Sequence, residues 1–112
     1  MADRLEDHRQ FARVKLQAPL RYQIRGTPEF SNTVINNISL GGLSFNNNKF
    51  IPPNTLLTFQ VDVLSRILNP IGRIAWASSL SRSDRYQFGV EFVQLDEAEK
   101  KYLNEYINMR TA

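Results

Sequence analysis

The sequence has no cysteine and one histidine, His8, among its 112 residues. Disulfides, thiolate metal sites and clustered imidazole ligands are therefore excluded. A nucleophile activated by histidine would depend on His8, which lies in a charged segment near the N-terminus. Because no other group resembles an activated nucleophile or a poised acid–base pair, the sequence predicts a binding protein and not an enzyme, without a metal or a cofactor.

Long apolar runs are also missing from the chain. No stretch is long enough to cross a bilayer, and the first seven residues lack the apolar core of a secretory signal. We therefore expect no membrane insertion and a cytoplasmic location. A hydrophobic fraction of 42% and a charged fraction of 22% are ordinary for a folded protein, and 112 residues suit one domain with one core.

A two-residue alternation of apolar and polar side chains marks the strands. It is clearest from Val14 to Arg25, where Pro19 predicts an edge position or a bulge because it cannot donate a hydrogen bond. Further strands are predicted over residues 30–38, 43–45, 57–63, 71–77 and 86–93.

The period becomes helical only at the C-terminus. Asp96 and Glu99 have the spacing of a capping box. An apolar stripe follows at helical spacing, made of Ala98, Tyr102, Leu103, Tyr106 and Ile107. The sequence thus predicts an all-β fold with one C-terminal helix, a small six-stranded antiparallel barrel whose helix covers an opening or pairs with a partner.

The segment from His8 to Arg25 contains five basic residues and no acidic one, so it is a candidate anion site. Arg9 and Arg13 lie four residues apart immediately before the first strand. Arginine forks grip a phosphate, or the O6/N7 edge of guanine, with two parallel hydrogen bonds. We interpret Phe11 as an apolar anchor between them, and the later arginines of this segment as a solvated strand face.

A second motif spans Asn37 to Gly42, with the sequence Asn-Ile-Ser-Leu-Gly-Gly. The Asn37 side chain can accept from the N1/N2 edge of guanine, and Ser39 can bond a phosphate or a base. Gly41 and Gly42 permit backbone conformations that are closed to other residues, and Gly42 also lets backbone approach closely. The alternative is a plain hairpin in which Asn37 and Ser39 bond their own backbone.

The two motifs together resemble the PilZ-domain family, whose signatures are Arg-x-x-x-Arg and Asp/Asn-x-Ser-x-x-Gly. The resemblance implies a split-type six-stranded barrel that binds the bacterial second messenger cyclic di-GMP. A flexible arm, residues 1–13, would wrap the ligand against the serine-glycine turn of a barrel formed by residues 14–112. The implied binding residues are Arg9, Arg13, Asn37, Ser39 and Gly42, with His8, Gly41 and Trp76 as further candidates.

The resemblance leaves three questions open. Family members that bind a stacked ligand dimer often have an arginine where His8 stands here. The sequence is therefore compatible with the binding of either one or two ligand molecules. Trp76 belongs either to the core or to the ligand site, since a tryptophan in the comparable strand contacts ligand in some members. The family also implies that the domain acts in trans on an effector protein. The sequence does not identify this effector.

Two other functions are compatible with the composition. A pI near 9.5 and 11% aromatic residues would suit a single-stranded nucleic-acid binder on an OB-like barrel, but this requires aromatics exposed on one face. Most aromatics here fall on the apolar side of a strand, which makes nucleic acid the weaker hypothesis. The second alternative function is that of a PilZ-like module that binds only proteins. The intact motifs argue against this alternative.

Overall fold

The computed structural model describes residues 12–111. Within that range, strands precede a single helix. Their bounds are β1 (Val14–Lys15), β2 (Pro19–Ile24), β3 (Phe30–Ile38), β4 (Gly42–Asn47), β5 (Leu56–Val63), β6 (Arg66–Leu68), β7 (Ile71–Ser79), β8 (Tyr86–Gln94) and α1 (Glu97–Thr111).

The strands close into a barrel. Each neighbouring pair is antiparallel, in the order β3-β2-β5-β7-β8-β4, and β4 pairs again with β3. This last pairing leaves no open edge between the six strands, which confirms the predicted barrel. The short strands β1 and β6 are added outside the circle, beside β3 and β5 respectively.

The predicted strand from Val14 to Arg25 is divided in the structure. β1 ends at Lys15 and β2 begins at Pro19. Pro19 thus occupies the first position of a strand, where its missing N–H is tolerated. The alternation hides this break, because Ala18 and Leu20 are both buried although only one of them lies in a strand.

The sequence did not predict β6. It follows a tight turn at Leu64, whose φ is 58°, and it pairs with the end of β5. A leucine with a positive φ is uncommon, so its residue type does not signal a turn.

An aromatic cluster fills the barrel. The Phe45 ring lies with its centroid 5.1 Å from those of both Tyr22 and Phe88, and 6.3 Å from that of Phe59. All four side chains are buried and come from four different strands. They bury large apolar surfaces at the centre of the sheet, so they supply much of the hydrophobic stabilisation of the fold.

Helix α1 packs onto this core through Leu103, Tyr106 and Ile107, which are buried. The hydroxyl of Tyr102 donates to the carbonyl of Val63 at 2.8 Å. The helix therefore covers the barrel itself, as one of the two predicted arrangements requires. Ala98, expected on the same apolar stripe, is exposed.

The capping box is half formed. Asp96 accepts a hydrogen bond from the amide of Ala98 at 3.2 Å, which caps the first turn of α1. The carboxylate of Glu99 accepts from the amide of Asn69 at 3.0 Å, so it ties the helix to the connection between β6 and β7. Within residues 12–111, no helix combines the length and the apolar character that crossing a membrane requires.

Candidate functional site

The turn between β3 and β4 is held by its own serine. The amide of Ser39 donates to the carbonyl of Gly42 at 2.8 Å. The Ser39 hydroxyl accepts from the amide of Gly41 at 3.1 Å and lies 3.4 Å from the Gly42 carbonyl, to which it donates. Only 3% of Ser39 is exposed. For Ser39 the plain-hairpin alternative therefore describes the structure, and this serine shapes the turn.

Gly42 is required for close approach of backbone and not for a positive φ. Among the described glycines, the positive φ belongs to Gly26 and not to the pair in this turn. A Cβ added to Gly42 would overlap the carbonyl oxygen of Val90 and lie 2.9 Å from its carbon. The expected backbone conformation is thus wrong. Glycine is needed because β8 passes too close for any side chain.

Asn37 joins the two sequence motifs. Its side-chain oxygen accepts a hydrogen bond, 2.8 Å long, from the guanidinium of Arg13. Asn37 therefore does not follow the plain-hairpin alternative, in which it would bond its own backbone. Arg9 and His8, the other candidates of the first motif, lie outside the described residues.

Asn37 is the first of a row of residues that are paired across neighbouring strands on the outside of the barrel. Asn37 pairs with Ser44, Ser44 with Gly89, and Gly89 with Trp76. The residues of the adjacent row, Ile38, Leu43, Val90 and Ile74, are buried in the core. Because side chains alternate between the two faces of a sheet, the first row points outward. Four strands spaced about 4.8 Å apart make it roughly 14 Å long.

Trp76 lies on this outer surface. A Cβ added to Gly89 would overlap Nε1 and Cε2 of the indole and lie 2.8 Å from Cζ2, so the ring covers the glycine. The residue is exposed over 45% of its surface. Trp76 is thus not a core residue, and the indole is available for stacking.

A β-bulge turns Trp76 outward. Ile74 faces the core, so simple alternation would also direct Trp76 inward. The register with β8 shifts between these two residues. The extra residue of the bulge therefore reverses which face of the sheet the following side chains of β7 point to. A bulge leaves no mark on the hydrophobic pattern, so the sequence could not decide between the two roles of Trp76.

Sequence reasoning missed a group of amides beside the row. The predicted strand ended at Phe45, whereas β4 continues to Asn47. The Nδ2 of Asn36 donates to Oδ1 of Asn46 at 2.9 Å, and Nε2 of Gln87 donates to the hydroxyl of Ser44 at 3.4 Å. The run of asparagines was the available signal, but it is equally typical of turns.

The basic residues around this surface include one that is paired with a carboxylate and one that adds positive charge near Arg13. Arg73 forms a 2.7 Å ion pair with Glu91, which pairs in the sheet with Gly42. Arg73 is therefore neutralised locally, whereas Lys15 pairs with Asn37 and adds a positive charge near Arg13. In the described part of the chain, no group of three or more His, Cys, Asp and Glu residues could hold a metal ion.

Comparisons with known proteins give the same fold. The PilZ domain model matches residues 7–109. The inhibitor of motility MotI/DgrA of Bacillus subtilis superposes with a TM-score of 0.81 at 16% identity, over 93% of this chain and 51% of that chain. The chain therefore spans about half the length of MotI/DgrA.

Two further solved structures were determined with c-di-GMP. The PilZ domain of YcgR from Escherichia coli has a TM-score of 0.72 at 10% identity, over 93% of this chain and 92% of that chain. PlzA of Borreliella burgdorferi has a TM-score of 0.63 at 13% identity, over 92% of this chain and 43% of that chain. No curated protein sequence matches. The structural likenesses show the fold, and the family model covers most of the sequence, so this chain belongs to the PilZ domain family.

Proposed function

We propose that this protein is a receptor for cyclic di-GMP and acts as an adaptor without catalytic activity. One observation carries the proposal. The hydrogen bond between Arg13 and Asn37 brings the two signature motifs together on one outer face. The same row of residues ends at the exposed indole of Trp76. Relatives of the same fold, YcgR and PlzA, have been solved with c-di-GMP.

The chemistry of this face suits a guanine-containing phosphodiester. Arginine has five N–H donors in a planar fork, and the bond to Asn37 holds that fork beside the second motif. The guanidinium can bond a phosphate or the O6/N7 edge of guanine. The exposed indole of Trp76 provides a flat surface on which a base can stack.

In this proposal, residues 1–13 form the arm that responds to the ligand. Arg9 supplies a second fork, and His8 adds a further donor when it is protonated. Ligand binding orders the arm against the turn at Ser39 and Gly42. An effector protein then recognises the rearranged arm in trans.

The aromatic residues favour this proposal over binding of single-stranded nucleic acid. A nucleic-acid platform stacks successive bases on several exposed rings. In the barrel, Tyr22, Phe45, Phe59 and Phe88 are buried. Phe30 and Phe50 are exposed and line one pocket. The guanidinium of Arg21 covers the Phe30 ring at 3.9 Å, and the Phe50 ring packs edge-on against Tyr86 with centroids 5.4 Å apart. Both rings are thus partly occupied by contacts within the protein, which favours the receptor over this rival.

Calorimetric titration with cyclic di-GMP tests the proposal, with GTP and cyclic di-AMP as controls. We expect binding of cyclic di-GMP alone, and the stoichiometry will distinguish one ligand molecule from two. A single-stranded oligonucleotide is titrated in parallel at two salt concentrations. Binding of the oligonucleotide that ignores base identity and falls steeply with salt, without binding of cyclic di-GMP, would replace the receptor by the nucleic-acid rival.

A further inference from the structure

A second row of polar side chains lies beside the row that ends at Trp76. Asn46 pairs with Gln87, and Gln87 pairs with Ser78. Gln87 is two residues from Gly89 on the same strand, so both face outward and their Cα atoms lie roughly 7 Å apart. The indole of Trp76 covers Gly89. A base stacked on that indole would therefore place one of its edges near Gln87.

Hydrogen bonds within the protein fix the direction of the two amide groups. Gln87 uses Nε2 to donate to the Ser44 hydroxyl at 3.4 Å. Asn46 uses Oδ1 to accept from Asn36 at 2.9 Å. These bonds leave Oε1 of Gln87 as an outward acceptor and Nδ2 of Asn46 as an outward donor.

The two outward atoms have no hydrogen-bond partner among residues 12–111. In the same part of the chain, no buried side-chain nitrogen or oxygen lacks a partner. Both atoms must therefore be open to solvent at the edge of the site. An acceptor and a donor side by side match the edge of a nucleobase better than they match a phosphate, which offers only acceptors.

We propose that Gln87 and Asn46 read the guanine that stacks on Trp76. This inference rests on the proposed receptor function and deepens it. Oε1 of Gln87 accepts from the N1–H and the N2 amino group of guanine, and Nδ2 of Asn46 donates to O6. Adenine has an amino group where guanine has O6, so it would face Asn46 with a donor opposite a donor. Gln87 and Asn46 are thus specificity-determining residues for guanine.

The test removes the contacted group from the ligand and from the protein in turn. Cyclic di-IMP lacks the N2 amino group of cyclic di-GMP and is otherwise the same. We expect wild-type protein to bind cyclic di-IMP about five- to tenfold more weakly than cyclic di-GMP, the loss of about one hydrogen bond. Gln87→Met, which keeps the length of the side chain, should weaken cyclic di-GMP binding by a similar factor. It should also remove most of the preference for cyclic di-GMP over cyclic di-IMP.

Gln94→Met is the matched control, because Gln94 is an exposed glutamine at the far end of the same strand. It should keep both the affinity and the preference of the wild type. Thermal melting of both variants verifies that they fold, and Gln87→Ala repeats the measurement if the larger side chain disturbs the surface. If wild type and the Gln87 variants had the same preference for cyclic di-GMP over cyclic di-IMP, this inference would be overturned but the receptor function would not. Failure of the wild type to bind cyclic di-GMP would overturn the receptor function with it.

Discussion

The indole of Trp76 occupies the space that any side chain at position 89 would need, with Cζ2 only 2.8 Å from the site of a Cβ on Gly89. The two residues are paired across β7 and β8. The bulge before Trp76 directs the ring outward, and the glycine lets it lie flat against the sheet. Neither feature alone would produce an exposed aromatic surface on the barrel.

This relationship predicts that Gly89→Ala displaces the indole while leaving Trp76 in the sequence. We expect Gly89→Ala to weaken cyclic di-GMP binding by about 1–2 kcal/mol, close to the effect of Trp76→Ala, because stacking of a base on a ring contributes about that much. Trp76→Phe should retain part of the affinity.

Fluorescence provides the measurement, because Trp76 is the only tryptophan of the chain. In the wild type, cyclic di-GMP should change the emission intensity. Gly89→Ala should alter the emission of the unliganded protein. An unaltered spectrum together with wild-type affinity would show that the indole does not lie over position 89.

The bond between Arg13 and Asn37 gives a second prediction. Arg13→Ala should weaken binding of cyclic di-GMP by about 2 kcal/mol, because it removes a charge-assisted bidentate contact. Arg13→Lys keeps the charge but not the fork, so it should recover only part of this loss. Folding should change little, since Arg13 is exposed.

Asn37→Ala and the double variant complete a mutant cycle measured by calorimetry. Because Arg13 and Asn37 are hydrogen-bonded, we expect their effects on binding to be non-additive. Arg25→Ala is the control, being an exposed arginine beyond the end of β2. Additive losses would mean that the two residues act on the ligand independently.

Gly42 gives a prediction about stability. Gly42→Ala should destabilise the fold by about 3 kcal/mol, because the new Cβ would overlap the Val90 carbonyl and separate β4 from β8. Gly26→Ala is the control. It places a Cβ in open space at a φ of 91°, so its cost is only the local backbone strain of about 1 kcal/mol. Chemical denaturation compares the two, and equal losses would contradict the close approach of β8.

The sequence predicted the barrel because its strands alternate with few exceptions. Phe45, Phe59 and Phe88 occur where a period of two places them inside, and packing of one core then fixes the register. The missed strand β6 and the undecided position of Trp76 both occur where the period is interrupted locally. Leu64 adopts a positive φ before β6, and the bulge before Trp76 reverses the facing of the chain.

The candidate site was predicted by motif and not by geometry. The spacing of Asn37, Ser39 and Gly42 identified the turn, but the assigned roles depended on details that spacing does not contain. Ser39 bonds its own turn, and Gly42 is needed for close packing. Gln87 was missed because it becomes a neighbour of Trp76 only through the pairing of β7 with β8.

The end of α1 provides the last prediction, because it contacts the strand that follows Arg13. The guanidinium of Arg110 donates to the carbonyl of Lys15 at 3.1 Å and to the Tyr106 hydroxyl at 2.6 Å. β1 has only two residues and, among residues 12–111, pairs with β3 alone. A strand of this length is marginal by itself, so the contact with the helix should help to hold β1 and, through it, Arg13 beside Asn37.

Arg110→Met keeps the apolar stem and removes both hydrogen bonds. We expect a loss of about 1 kcal/mol in stability and a two- to fivefold weaker binding of cyclic di-GMP, because Arg13 is then held less firmly. Hydrogen exchange locates the effect: the amide of Leu16, which donates to the Asn36 carbonyl at 3.2 Å, should exchange faster, while amides in β7 should not. Lys101→Met, at an exposed position of the same helix, is the control. If Leu16 exchanged equally in Arg110→Met and wild type, α1 would not support β1, and the position of Arg13 would depend on β3 alone.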